Sequence, residues 1–350
     1  MAPASVEAAI EAAFREWGEP CPLAIDLLGS DAVDVLAVAF SSWAVQHLGS
    51  ELVTGRWFKR SIGLVLAGRL ADGREVVVKA VRGDDDGWAN PAASLLVRRH
   101  LVLGGYPCPM PLTDVVPFGA GLASADSWLE PGRHADPTAD PADAVALAAG
   151  FADLVRRCDP LVGHPYLQVP DMFDDLPAGA LWPIPHDRRF DFAATTPGAE
   201  WIDDALRPAQ AVLAAPAGRR VVAHTDWRAE HVCLGPGGRV VAVYDWDSMR
   251  EVTEPVAVGV GASAFVADFT VDRRQAPTVE EVRGFLVAYE DARGAPFDDD
   301  ERRTWRAAVQ RSLAYVSRCR WSDMALRLPV PEDNTFLDLL RDWLDSPHAI

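Results

Sequence analysis

His224-Thr-Asp226-Trp-Arg228-Ala-Glu-His231, then a turn at Gly235-Pro236-Gly237-Gly238, then Tyr244-Asp245-Trp-Asp247, is the stretch on which the reading of this chain turns. Each acidic centre closes an apolar run, VVAH before the first and VVAVYD before the second. The glycine-rich turn between HVCL and RVVAV reads as the bend of a hairpin. Folding that hairpin brings together two acids that lie 19 residues apart in sequence. Phosphoryl transfer needs such a pair. One carboxylate orients the attacking hydroxyl and takes its proton, and another holds the divalent cation that bridges the phosphates. Asp226 fits the first role and Asp245 the second, with Asp247 as a further ligand. His224 reads as a brace for the loop. Arg228 is poised either to meet a transferring phosphate or to pair with a local carboxylate.

Working outward, the β signal recurs upstream in ELVTGRW, RSIGLVLAGRL and REVVVKAV, the last two joined by Ala71-Asp72-Gly73. An Asp-Gly pair between β-branched runs is a strong hairpin signal, so three antiparallel strands are expected. Lys79 stands inside the third, where a strand fixes the direction of its ammonium and lets it neutralise phosphate charge. A helix begins at Pro91 and stops at Gly104-Gly105. Residues 106–118 read as extended and Ser127-Trp128-Leu129-Glu130-Pro131-Gly132 as a connector. Helical runs follow at 143–158 and 201–214, flanking a proline-punctuated stretch, 159–192, of the length usually reserved for function. Thr278-Val-Glu-Glu281 is a capping box, with Val282, Phe285, Leu286 and Tyr289 as the buried stripe and Gly294 as the stop. The first 49 residues read as helical, with Leu36, Phe40, Trp43 and His47 on one face.

Composition narrows the function classes. The chain has 350 residues, 49% of them hydrophobic, with 33 Lys and Arg against 51 Asp and Glu for a net charge of −18. No basic surplus is available to displace phosphate counterions, which argues against general nucleic-acid binding and against anionic membrane surfaces. The longest apolar candidate, Pro255 to Ala267, is too short to span a bilayer. The opening residues lack the basic flank and apolar core of a signal peptide. Five scattered cysteines form no CxxC pair, so a reducing cytoplasm is the simplest expectation.

With these residues in view, the chain resembles the aminoglycoside phosphotransferase and choline kinase-like family, as a divergent member. HTDWRAEH matches that family's H-x-D-x-x-x-x-N loop, YDWD its metal-binding Asp motif, VVVKAV its nucleotide-binding lysine strand and SWLEPG its hinge. AYEDARG at 288–294 resembles its helical tail. The likeness covers residues 50 to 320 or thereabouts. It implies an α+β, two-lobed protein kinase-like fold: a helical extension over 1–49, a small antiparallel-sheet nucleotide-binding lobe over 50–130, and a larger, mainly helical lobe over 131–350. It further implies Asp226 and Arg228 as catalytic residues, with Lys79, Trp128, Leu129 and Glu130 at the nucleotide. Asp245, Asp247 and His231 would be the metal ligands, and the cofactors ATP or GTP with Mg2+, or Mn2+.

Two departures stand out. The family's metal-binding Asn is His231 here, and imidazole suits Mn2+ better than Mg2+. The helix that normally gives the strand lysine a Glu partner has no acid, because none occurs between Asp86 and Asp114. Lys79 must pair elsewhere, with Asp84-Asp85-Asp86 as one source, or stand alone. GRWFKRSIG, with Gly55 and Gly63, is the expected phosphate-covering loop.

The function so implied is phosphorylation of a hydroxyl on a small molecule. The alternative is a catalytically impaired pseudokinase that binds a nucleotide or metabolite in a regulatory role. A rim of Asp159, Asp171, Asp174, Asp175 and Asp187, against Arg188 and Arg189, makes a cationic acceptor one expectation and a merely solvated loop the other. The sequence does not define an oligomeric state.

Overall fold

The structure is a computed structural model describing residues 4–17, 20–60, 63–83, 91–170, 172–173, 176, 179–187, 190–326 and 335–348. The Asp84–Asp86 run and Asp171, Asp174, Asp175, Arg188 and Arg189 of the expected rim lie outside these residues. The chain divides into two compact units, Met1–Glu130 and Pro131–Ile350.

In the first unit, helices α1 (Val6–Trp17), α2 (Pro22–Leu28) and α3 (Val33–Leu48) precede β1 (Leu52–Arg60), β2 (Gly63–Leu70) and β3 (Glu75–Val81). Helix α4 (Pro91–Leu103) and strands β4 (Val116–Phe118) and β5 (Gly121–Ser127) complete it. The antiparallel sheet runs β1-β2-β3-β5-β4. The helices before β1 share its core: Ile10, Phe14, Leu36 and Phe40 pack with Phe58, Leu64, Val76 and Val78. Five strands form where three were expected. The fifth, GLASADS, is built of small residues with weak β propensity, and its ladder with β3 holds it extended.

Of the segment expected to cover phosphates, Gly55 to Arg60 lie within β1 and Gly63 opens β2. Both glycines answer to packing. A Cβ on Gly55 would lie 2.6 Å from Ala9 Cβ of α1, and one on Gly63 would lie 3.0 Å from Lys79 Cε.

The second unit comprises β6 (Arg133–His134), α5 (Pro141–Cys158), α6 (Glu200–Leu213), β7 (Arg220–His224), β8 (Val232–Leu234), β9 (Val240–Val243) and β10 (Met249–Thr253). It ends in α7 (Glu254–Ala264), α8 (Val279–Arg293), α9 (Asp299–Ala325) and α10 (Thr335–Leu344). The hairpin β8–β9 forms as read, with Gly237 and Gly238 at positive φ in its turn. The capping box on α8 is present, as Glu281 N–H donates to Thr278 Oγ1 and Thr278 N–H to Glu281 Oε2. The apolar stretch that begins at Pro255 becomes α7, apolar all round because it is buried all round. Gly259 lets α9 approach closely: a Cβ there would meet Ala308 Cβ at 2.6 Å. Among the described residues no helix is long and apolar enough to cross a membrane.

Candidate active site

The loop after β7 is fixed by alternate residues that point into the core. Trp227 is buried and its Nε1 donates to Leu147 O of α5 at 3.1 Å. Ala229 is fully buried as well. Asp226, just before Trp227, and Arg228, between the two anchors, are left partly exposed. His224 is the brace the sequence suggested. Its Nε2 donates to Tyr244 O at 3.1 Å, and its Nδ1 accepts from Asp226 N–H at 3.2 Å. One buried imidazole thus ties the start of the loop to the strand that leads into Asp245. Burial drives its pKa down to about 4, so it braces as a neutral ring.

Asp245 has φ 55° and ψ 61°, the left-handed region, and is the one non-glycine residue with positive φ among the described residues. Such a conformation costs an aspartate about 1–2 kcal/mol and persists only where the surroundings impose it. Here Tyr244 N–H donates to His231 O at 2.9 Å just before it, and buried Trp246 donates from Nε1 to Val243 O at 2.9 Å just after it. The kink turns the Asp245 carboxylate towards the loop, where its Oδ2 lies 3.5 Å from His231 Nε2.

Single donor atoms from Asp226, His231 and Asp245 all lie within 4.8 Å of one another. Two carboxylates and an imidazole at that spacing fit a divalent cation, with Mn2+ better served than Mg2+ by the nitrogen. Asp247 is not in this set. It lies in the single 3-10 turn Trp246–Ser248 that follows Asp245.

A second cation stands in the same cluster. Arg228 Nε lies 2.8 Å from Asp226 Oδ1, and its Nη2 donates to Asp226 Oδ2 at 2.9 Å. That Nη2 also lies 2.8 Å from Glu230 Oε1 and 3.2 Å from His231 Nε2. Burial alone would raise the Asp226 pKa, but the Arg228 and His231 charges hold it below the usual range. Burial and Arg228 push His231 down, yet its hydrogen bond to Glu230 and the charges of Asp226 and Asp245 outweigh them, so it keeps its proton above the usual histidine range. Binding a metal through Nε2 would displace that proton and the Arg228 contact together.

Glu230 is the member the sequence reading passed over. It is largely buried, touches both Arg228 and His231, and its Oε2 accepts Phe269 N–H at 3.0 Å. Phe269 in turn lies under the Arg228 guanidinium, 5.2 Å from its ring centroid. The only sequence signal was an acid inside an otherwise matched loop.

In the first unit, Lys79 lies on the middle strand of the sheet, on the half-exposed face opposite buried Val76, Val78 and Ala80. Its register partner on β5 is Ser124, while Asp126 stands opposite Val77 and shares that face. Asp126 is thus an acid on the same sheet face as Lys79. Helix α4 supplies the base instead: buried Arg98 forms an ion pair with Asp126. At the hinge, Trp128 N–H donates to Glu75 O at 3.0 Å, Trp128 Nε1 donates to Glu130 Oε1 at 2.9 Å, and Arg56 stacks on the indole. Leu129 is half-buried between them.

No protein-family model and no curated protein match the chain. Solved structures do. An amicoumacin kinase in complex with AMP-PNP, Ca2+ and Ami is 12% identical, with 84% of this chain and 89% of that one covered at a TM-score of 0.59. A Plasmodium vivax ethanolamine kinase is 9% identical over 98% of this chain and 95% of its own, with a TM-score of 0.56. A spectinomycin phosphotransferase in complex with ADP and spectinomycin is 11% identical over 89% and 94%, with a TM-score of 0.51. At such identities the likeness is one of fold. The chain has the kinase-like fold shared by aminoglycoside phosphotransferases and choline/ethanolamine kinases, in keeping with the resemblance carried by its loop motifs.

Proposed function

We propose that the protein is a phosphotransferase that transfers the terminal phosphoryl group of ATP or GTP to a hydroxyl of a small molecule. The observation that carries this reading is the convergence of Asp226, His231 and Asp245 within 4.8 Å, with Asp245 held there in a strained backbone. Asp226 would orient the acceptor hydroxyl and take its proton. Asp245, with His231, would hold a divalent cation, whose charge offsets that of the phosphates when it is bound. Lys79 would grip the phosphates, and the Trp128–Glu130 backbone would meet the base. Arg228 is clamped on both oxygens of Asp226. An incoming phosphate would compete for that guanidinium and draw it off, leaving Asp226 open to the hydroxyl. In-line transfer needs positioning and charge more than covalent chemistry, so no nucleophilic side chain is invoked.

The same clamp favours a second reading. An aspartate already paired with arginine, beside a histidine at the asparagine position, suits a pseudokinase that binds nucleotide and does not turn over. ADP release over a panel of hydroxyl compounds, with Mg2+ and with Mn2+, separates the two. Turnover that is abolished in Asp226→Asn supports transfer. Nucleotide binding with no turnover on any acceptor in either metal supports the pseudokinase.

A further inference from the structure

Arg228 is held by two carboxylates that differ in how firmly they are themselves held. Its Nη2 lies 2.9 Å from Asp226 Oδ2 and 2.8 Å from Glu230 Oε1. The Asp226 side chain is 39% exposed and that of Glu230 only 12%. Glu230 is also pinned through both its backbone and its side chain. Its N–H donates to Ala267 O at 3.3 Å, and its Oε2 accepts Phe269 N–H at 3.0 Å.

The segment that pins it is braced in turn. Asp268 N–H donates to Gln275 Oε1 at 2.9 Å, Asp268 Oδ1 accepts Thr270 N–H at 3.1 Å, and Arg273 Nη1 lies 2.8 Å from Asp136 Oδ1. Glu230 is therefore fixed in place. So is the Phe269 ring, whose centroid lies 5.2 Å from Arg228 Cζ.

Glu230 stands apart from the groups that converge for a cation. Asp226, His231 and Asp245 form that set, and Glu230 is outside it although its Oε1 lies 3.2 Å from His231 Nε2. Asp226 cannot serve a divalent cation and two nitrogens of Arg228 at once. A guanidinium released beside that cation with no carboxylate of its own would be a poorly compensated charge in a largely buried place. Glu230 and Phe269 remove this difficulty, because a charge-assisted hydrogen bond and a ring face remain for Arg228 after Asp226 is given up.

The inference rests on the reading of Asp226, His231 and Asp245 as a cation site. We propose that Glu230 is a positioning residue, the carboxylate that retains Arg228 when Asp226 is given up to a divalent cation. Arg228 keeps the Nη2–Oε1 bond it already has, and Asp226 is freed without loss of the positive charge that would face the phosphates.

The test is a double-mutant cycle on Mn2+ affinity, read from the EPR signal of free Mn2+ titrated into the full chain at pH 8. Glu230→Gln should weaken Mn2+ about tenfold, because Arg228 loses one of its two carboxylates and holds Asp226 the more tightly. Arg228→Gln should tighten Mn2+ about tenfold by freeing Asp226. In the Arg228→Gln background, Glu230→Gln should then change the affinity by less than about threefold. Phe269→Leu, on a half-exposed side chain, is the second variant should Glu230→Gln not fold. It should weaken Mn2+ about threefold with Arg228 present and leave it unchanged with Arg228→Gln. A loss from Glu230→Gln of equal size in both backgrounds is what a mere nearby charge would give, and it overturns the proposal. So does no loss from either variant, or no Mn2+ binding by the wild type. An intact cycle in a protein that turns over no acceptor removes the proposed transfer and leaves this role of Glu230 standing.

Discussion

Two clusters of guanidinium and carboxylate flank the β7–β10 ribbon, and their contrast separates structure from chemistry. At the far end, Glu254 is fully buried and accepts from Arg219 at 2.8 Å, Tyr289 Oη at 2.7 Å and Arg293 at 3.1 Å. Both its oxygens are satisfied by groups from three separate segments, and its backbone is the unstrained start of α7. At the near end, Asp226 and Asp245 keep 39% and 38% of their side chains exposed. Asp245 is strained, and Arg228 is shared between two carboxylates, Asp226 and Glu230. The first cluster has no capacity left for a ligand. The second has partly exposed carboxylates and a strained backbone, which is where chemistry is found.

That contrast breaks down or sharpens under substitution. The largest expected effect is at the near end. Asp226→Asn should lower any phosphotransfer by about 10²- to 10⁴-fold while nucleotide affinity stays within a few-fold, because proton acceptance is lost and phosphate binding is not. Steady-state ADP release and nucleotide titration check this, and retained turnover would remove Asp226 from the proposed role.

The mirror experiment is Glu254→Gln. It leaves buried guanidiniums short of a counter-charge, so stability should fall by about 3 kcal/mol, the lower end for a broken buried pair because Arg219 is half-exposed. Burial tends to raise the Glu254 pKa, but hydrogen bonds from Arg219, Tyr289 and Arg293 hold it below the usual carboxylate range. A depressed folded pKa gives stability that is present above the ordinary glutamate pKa of about 4.3 and lost as pH falls through the folded value. Denaturant titrations from neutral to acid pH should show that loss in wild type and a flatter profile in the variant.

A smaller effect is expected in the metal-supported binding of nucleotide. Asp245→Asn keeps a residue that tolerates the left-handed backbone and removes the charge, and should weaken Mg2+-dependent binding about tenfold. His231→Ala should cost less. A larger loss for His231→Ala would mean that the site is built around the imidazole. His231→Asn, which replaces nitrogen by an amide oxygen, should shift metal preference from Mn2+ towards Mg2+ by a few-fold.

The smallest effect is a control on the frame. Thr278→Ala removes one half of the α8 capping box and should cost about 1 kcal/mol in stability without moving activity or metal dependence.

Local order was legible from the sequence wherever it was written into neighbouring residues. The hairpin at Gly235–Gly238, the capped α8 with its stripe of Val282, Phe285, Leu286 and Tyr289, and the meeting of Asp226 with Asp245 all follow from turn chemistry and periodicity over short spans. Strand β5 was not legible, because its alanines and serines carry no β signal and its partner β3 imposes its conformation. The packing role of Gly55 was not legible, because a glycine placed for close approach by α1 looks in sequence like one placed for a phosphate.

The charge partners were decided by tertiary structure alone. Glu230 joins the site through Arg228 and Phe269, the Asp126–Arg98 pair forms across a strand and a helix, and Arg220 and Arg311 reach one cavity from elements 91 residues apart. Pattern and turn chemistry act between residues a few positions apart. Which carboxylate meets which guanidinium depends on distance through space, and distance exists only once the chain has folded.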